Sequence, residues 1–355
     1  MKGNRRPKPW IISLVFVLIL VPIGSVYAQK ASTLPSRVTF AAGVPTSLAY
    51  QYAAGLSKVA TAHTPMLVVA QSMAGPAAYV KQISDTGKPE FGWMGGVDTW
   101  QAYVGKFVKE PVPGLPKVTP PYPLSRNIRI VVATPAMALG FVARNDSPFK
   151  KVADLKGKRV SWEFAGYAPN VASCLCYMTV AGLTVEDVIP VPVSGLKAGV
   201  DALVEGRLDA TTSSVGMPAT TEANAKIGVR HLEQNVAGPE WLRKAEIIQP
   251  GSYVGTCPAG SGASVRVDTH LWFKPGYVIS SVHVPDEVVY TFLNALWDHH
   301  KETWGLHRAL KAFKPEKFID NTFPVPVHTG AIKFYKEKDI WTPEREKRQQ
   351  ENLKM

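Results

Sequence analysis

The chain has 355 residues, is 46% hydrophobic and 19% charged, and carries a formal net charge of +12. That balance supplies ample apolar surface for a core and excludes a disordered chain. The bases are not a nucleic-acid stripe: near the C-terminus Lys333, Lys336, Lys338, Arg345, Lys347, Arg348 and Lys354 alternate with Glu337, Asp339, Glu344, Glu346 and Glu351, the pattern of a solvated helix.

Met1–Pro9 holds Lys2, Arg5, Arg6 and Lys8 and no acid. Trp10–Ile23 is apolar except for Ser13 and Pro22, and Val26-Tyr27-Ala28 ends in a small residue. Charge, apolar core and small-residue end predict a secretory signal peptide over 1–28, cleaved after Ala28. The apolar run is nearer ~13 than the ~20 residues a membrane span needs. No Cys follows it, so no lipid anchor is expected. The mature chain, Gln29–Met355, keeps +8 once the leader's four bases are removed.

A strand–loop–helix unit then repeats. Strand Arg37–Ala42 leads through Gly43-Val-Pro45 to helix Leu48–Thr61, and strand Met66–Gln71 through Ser72–Gly75 to helix Pro76–Ser84. Strand Glu90–Met94 leads through Gly95-Gly96 to helix Asp98–Val104. Lys109–Ser125 holds six prolines and reads as an extended surface loop. Strands Ile128–Thr134 and Leu139–Arg144 follow, with Pro135 and Gly140 marking a crossing into a second lobe. There Val152-Ala-Asp-Leu-Lys-Gly-Lys-Arg-Val160 and Glu205-Gly-Arg-Leu-Asp-Ala210 bracket a helix ending at Gly182, strand Val188–Val193 and helix Leu196–Val204. This βαβα order predicts a doubly wound α/β lobe with a parallel sheet. Pro250–Gly262 reads as the loop of the return crossing. Strand Gly276–Ser281, helix Asp286–His299 and a helical C-terminus complete the first lobe. The expected division is lobe 1 over 29–136, lobe 2 over 137–251, and a return over 252–355.

Cys174 and Cys176 stand two apart on a predicted helix and point about 200° apart, so they do not bridge one another. Buried free thiols are the expectation, with a bridge from either to Cys257 left open. Their spacing is not that of a zinc site.

Several segments together resemble the TAXI family of TRAP-transporter solute receptors: Met94-Gly-Gly-Val-Asp98-Thr-Trp-Gln-Ala-Tyr103-Val-Gly105, the Asp-Leu-Lys-Gly-Lys-Arg-Val block, Gly216-Met217-Pro218, Pro250-Gly-Ser-Tyr253-Val-Gly255 and His328-Thr-Gly330-Ala331. The match covers nearly the whole mature chain. It departs from the family at the first loop, which has one tyrosine, Tyr50, where relatives often pair two. The resemblance implies a two-lobed periplasmic-binding-protein-like α/β fold of type II, each lobe a doubly wound mixed sheet flanked by helices. It further implies a monomeric periplasmic receptor that closes on a small solute and delivers it to a membrane TRAP permease driven by an ion gradient. The alternatives are a sensory subunit for a membrane kinase and, behind it, a periplasmic enzyme.

Ligands of open α/β sheets lie beyond the carboxyl ends of the strands. Thr46 or Ser47 caps the first helix in this reading, Gly75 precedes a helix-starting Pro76, and Asn170 caps a second-lobe helix. Free amides and the helix dipole make such ends anion sites. With the aromatic and polar residues of the same loops, the candidate ligand-binding set is Thr46, Ser47, Tyr50, Ser72, Gly75, Trp93, Gly96, Asp98, Tyr167, Asn170, Met217 and Tyr253. These loops contain no Arg, although Arg126, Arg129 or Arg144 could reach them in three dimensions. The inventory therefore favours a monocarboxylate or amino-acid-like solute over a dicarboxylate. No catalytic motif, cofactor or metal is expected: the chain lacks Gly-x-Ser-x-Gly, His-Glu-x-x-His and a phosphate loop, and His299, His300 and His307 read as surface or packing residues on helices, without acid or thiol partners at ligand spacing.

Overall fold

The computed structural model describes Met1, Gly3 and residues 34–108, 122–165 and 170–355. The chain separates into two compact units, Met1–Thr33 and Leu34–Met355, and every element below belongs to the second. The signal-peptide expectation falls almost wholly outside the described residues, as do most of the proline-rich loop and Tyr167. Among the described residues no helix is long and apolar enough to cross a membrane.

In chain order the elements are β1 (Arg37–Ala42), α1 (Leu48–His63), β2 (Leu67–Ser72), α2 (Val80–Thr86), β3 (Phe91–Gly95), α3 (Gly96–Val104), β4 (Ile128–Arg144), β5 (Arg159–Trp162), α4 (Asn170–Val180), β6 (Ile189–Pro192), α5 (Leu196–Val204) and β7 (Ala210–Ser214). Then come α6 (Pro218–Ile227), β8 (Val229–His231), α7 (Pro239–Ile248), β9 (Tyr253–Cys257), β10 (Thr269–Ser281), α8 (Asp286–His299), α9 (Thr329–Glu337) and α10 (Pro343–Leu353).

One sheet of ten strands runs through the molecule in the order β2-β1-β3-β10-β4-β7-β5-β6, with β8 beside β4 and β9 beside β10. At one end β2, β1 and β3 are parallel; at the other, β7, β5 and β6 are parallel. Between them β10 and β4 run antiparallel to each other and to their outer neighbours. The sheet is therefore mixed, not parallel as the βα repeat alone suggested.

Two large cores lie along it, with two smaller apolar clusters beside them. One gathers Phe40, Phe91, Phe292 and Phe334 from β1, β3, α8 and α9. The other gathers Phe141, Trp162, Tyr177 and Trp272 from β4, β5, α4 and β10. Separate apolar clusters are what make two lobes of one chain. Strand β3 is buried at every position, as strands covered on both faces must be. Strand β7 is also wholly buried yet reads Ala-Thr-Thr-Ser-Ser. Its threonine hydroxyls are satisfied internally: Thr211 bonds Ser161 at 3.0 Å, and Thr212 accepts from Asn170 Nδ2 at 2.6 Å.

The segments expected at the crossings are more regular than the sequence suggests. Ile128–Thr134 and Leu139–Arg144 are one strand, β4, and the sheet continues across Pro135. Pro250–Gly262 is not a plain loop: Tyr253–Cys257 pairs as β9 with Thr269–Phe273. The second link is β10, whose register against β4 shifts between Lys274 and Gly276. Pro275 supplies no amide to the ladder, which accounts for a local break there. The helix expected over Pro76–Ser84 is a three-residue 3₁₀ turn, Pro76–Ala78, followed by α2. All three cysteines are buried and free, so Cys257 bridges neither partner.

Candidate functional site

A cavity of about 430 Å³ opens where the two cores face each other. Its first wall is the β1–α1 loop (Gly43 to Ala49) with Ala74, Gly75, Pro76, Tyr79 and Trp93. The opposite wall is Asn170 and Ser173 of α4, Ser194 to Ala198 and Asp201 at α5, and Ser214 and Met217 before α6. Met137 and Leu139 of β4 and Lys274 of β10 line it where the two linking strands cross. Each wall is built from the carboxyl ends of parallel strands, the place where open α/β sheets bind ligands.

The starts of four α-helices, α1, α4, α5 and α6, converge on this space. At α1 the Ser47 hydroxyl accepts from Tyr50 N–H at 3.2 Å and donates to Val44 O at 2.7 Å. That hydroxyl is engaged as a cap. At α5 and α6 the N-caps are Gly195 and Met217, and no side chain caps either end. The first turn of α5 therefore turns backbone amides and the positive end of its dipole toward the cavity.

Two charge pairs accompany these ends. Lys274 Nζ lies 2.8 Å from Asp98 Oδ2, both side chains almost completely buried. Lys197 Nζ lies 2.8 Å from Asp201 Oδ2 at the rim, both half-exposed. Apolar groups supply much of the remaining lining. Trp93 is 5% exposed, donates its indole N–H to Thr134 Oγ1 at 3.0 Å, and leans on Tyr52. Tyr79 donates its hydroxyl to the Trp93 carbonyl. Burial first, and the nearby Asp98 charge second, push its phenol far above the ordinary range, so Tyr79 acts as a neutral donor.

The cavity brings together Thr46, Ser47, Gly75, Trp93, Asn170 and Met217 from the sequence-based set. Tyr167 lies outside the described residues, and the other five lie elsewhere. Tyr50 is half-buried on α1, packed against the first core. Ser72 is exposed at the end of β2, paired with Ala42. Gly96 is buried against the Tyr277 ring. Asp98 faces Lys274 from behind the lining. Tyr253 stacks on Phe273, ring centroids 5.4 Å apart, in a second cavity of about 630 Å³ that also contains Pro135, Pro275 and Phe313. Gly75 begins only a three-residue turn, too short for a helix dipole, so its expected role as an anion-binding helix start does not hold.

Sequence reasoning missed Lys274 and the start of α5. Both had signals. Lys274 is a lone base at the end of the apolar run Leu271-Trp-Phe273, and the Ser194-Gly195 loop follows the predicted strand Val188–Val193. None of the arginines considered lines the cavity. Arg126 and Arg129 stack over Tyr103, and Arg144 pairs with Asp146 at 3.0 Å.

Solved structures with this architecture include MatC from Rhodopseudomonas palustris with bound malate, 17% identical, with a TM-score of 0.53 over 88% of this chain and 100% of that one. Another, described as a periplasmic transporter, is 15% identical with a TM-score of 0.51 over 90% of this chain and 98% of that one. At such identities the likeness carries the fold, the two-lobed architecture of periplasmic binding proteins. The sequence itself matches the NMT1-like family from residue 40 to residue 338, a span that takes in every lining residue of the cavity. The chain belongs to the NMT1-like family.

Proposed function

We propose that the protein is an exported solute receptor that captures a small monocarboxylate between its lobes. The observation that carries this reading is the meeting of uncapped helix starts with a buried lysine at one largely apolar cavity. Amides of the α5 first turn and the Lys274 ammonium offer complementary donors to one carboxylate. Trp93, Met137, Leu139 and Met217 offer surface for an apolar body. Lys274 and Lys197 already face Asp98 and Asp201, which leaves little uncompensated positive charge for a second carboxylate. This favours a monocarboxylate or amino-acid-like solute over a dicarboxylate.

In this reading β4 and β10 act as the hinge, with the return to lobe 1 at Lys274–Gly276 in place of the expected boundary at 251/252. Signal-peptide cleavage after Ala28, periplasmic residence, a monomeric state and delivery to a TRAP permease belong to the same proposal. They are supported by the leader's composition and by the resemblance of the Met94–Gly105 and His328–Ala331 segments to TAXI receptors. The test is a thermal-shift and calorimetry panel of monocarboxylates, amino acids, 2-oxo acids, aromatic acids, dicarboxylates and neutral sugars. A true ligand at a hundredfold excess over its Kd adds about 2.7 kcal/mol of stability and is readily seen. Saturable binding confined to dicarboxylates or to sugars overturns the proposal.

A further inference from the structure

The last residues of α1 and α8 meet at the surface of the first lobe beside the helical turn His300–Gly305. There the rings of His63 and His299 lie face to face, centroids 3.4 Å apart and planes within 2°. Glu302 closes the group. Both of its carboxylate oxygens lie 3.0 Å from His63 Nε2, and one lies 3.2 Å from His299 Nδ1. One ligand atom from each residue falls within 4.8 Å of the other two. The solute cavity uses none of these residues.

We propose that His63, His299 and Glu302 form a binding site for a borderline divalent transition metal such as Zn²⁺ or Ni²⁺. Two imidazoles and one carboxylate are a donor set such ions favour over hard cations. The spacing also fits. Ligands about 2.0–2.2 Å from a tetrahedral centre sit roughly 3.3 Å from one another. The separations of 3.0 and 3.2 Å between the carboxylate and the two ring nitrogens are within a few tenths of that edge. The rings are stacked in parallel planes, so one imidazole must turn out of the stack for both nitrogens and the Glu302 carboxylate to meet one ion. With three protein ligands, the fourth position falls to water, and the surface setting allows entry. A bound ion fastens the end of α1 to α8. The start of α1, at the solute cavity, is about 24 Å away along a 16-residue helix. Solute affinity should therefore not depend on the metal.

The test is calorimetric titration of the full chain, purified without a histidine tag and stripped by chelator, with Zn²⁺, Ni²⁺ and Mg²⁺. His63→Ala, His299→Ala and Glu302→Gln are titrated alongside, with metal-free melting curves to establish that each variant folds. The expected result is one equivalent of Zn²⁺ or Ni²⁺, at least tenfold weaker in each variant, no comparable Mg²⁺ heat, and intense visible absorption when Co²⁺ occupies the site. Absence of saturable Zn²⁺ and Ni²⁺ binding, equal affinity in a folded His63→Ala/His299→Ala chain, or equal Mg²⁺ binding overturns the proposal.

Discussion

Lys274 Nζ sits 2.8 Å from Asp98 Oδ2, joining the strand that links the lobes to the first turn of α3, with both side chains at 5% exposure or less. A buried pair of this kind is costly to break from one side only, by about 3–5 kcal/mol, because the remaining charge is stranded. Lys274→Met is expected to destabilise the protein by about that amount, and Lys274→Met with Asp98→Asn to recover most of it. The double variant separates folding from binding. It should lose about tenfold to a hundredfold in carboxylate affinity, as expected for a charged hydrogen bond. Denaturant unfolding and calorimetry on both variants check this; unchanged affinity in the double variant removes Lys274 from the ligand contacts.

Ala198 is the third residue of α5 and lines the cavity. A carboxylate there faces the free amides of the helix start and gains about 0.3–1 kcal/mol from the dipole. Ala198→Glu is therefore expected to leave the melting temperature unchanged or slightly raised, while occupying the anion position and weakening carboxylate binding at least a hundredfold. Retained binding would falsify the placement of the ligand carboxylate at α5.

A Cβ on Gly276 would lie 2.3 Å from Cζ2 of Trp93 and 3.0 Å from Oγ1 of Thr134. Both groups are held, since the indole donates to that hydroxyl. Gly276→Ala is expected to cost about 1–3 kcal/mol through overpacking and to displace Trp93 from the cavity wall. Quenching or shift of tryptophan fluorescence together with weaker solute binding is the expected signature.

His231 is fully enclosed, with Nδ1 2.8 Å from Ser264 Oγ and Nε2 3.3 Å from Ser213 O. Burial lowers its pKa to about 4. Unfolded, the imidazole takes up a proton below about 6.5, whereas the folded chain resists until about 4. Between those values the unfolded state holds more protons, so stability is complete above about 6.5 and falls as pH drops toward 4. The loss attributable to His231 is about 3 kcal/mol. Burial depresses His307 and His328 in the same direction. Urea unfolding at several pH values should show this slope, flattened in His231→Gln.

Cys174, Cys176 and Cys257 are buried, and burial raises each thiol above its ordinary pKa. Since the thiolate is the reactive form, a thiol reagent at neutral pH should react slowly with the native protein. After denaturation it should count three thiols without any reductant.

The sequence by itself determined the local elements. Strand β1, the start of α1, α5 and α8 lie where periodicity and capping residues place them, because those signals act within one or two turns of chain. It also pointed to Trp93, Asn170 and Met217, since a small-residue loop after a parallel strand marks the ligand edge of the sheet. What only the tertiary structure decided are the relations between distant segments. Ile128–Thr134 and Leu139–Arg144 read as two strands, yet β4 runs through both and carries Met137 and Leu139 to the cavity. Tyr253 looked like a ligand contact, but pairing of β9 with β10 stacks it on Phe273 away from that cavity. His63 and Glu302 are 239 residues apart, and Asp98 and Lys274 meet across the sheet from α3 and β10. Local propensity carries no information about such meetings; they follow from which strands become neighbours, and that order is fixed by burying two separate apolar cores at once.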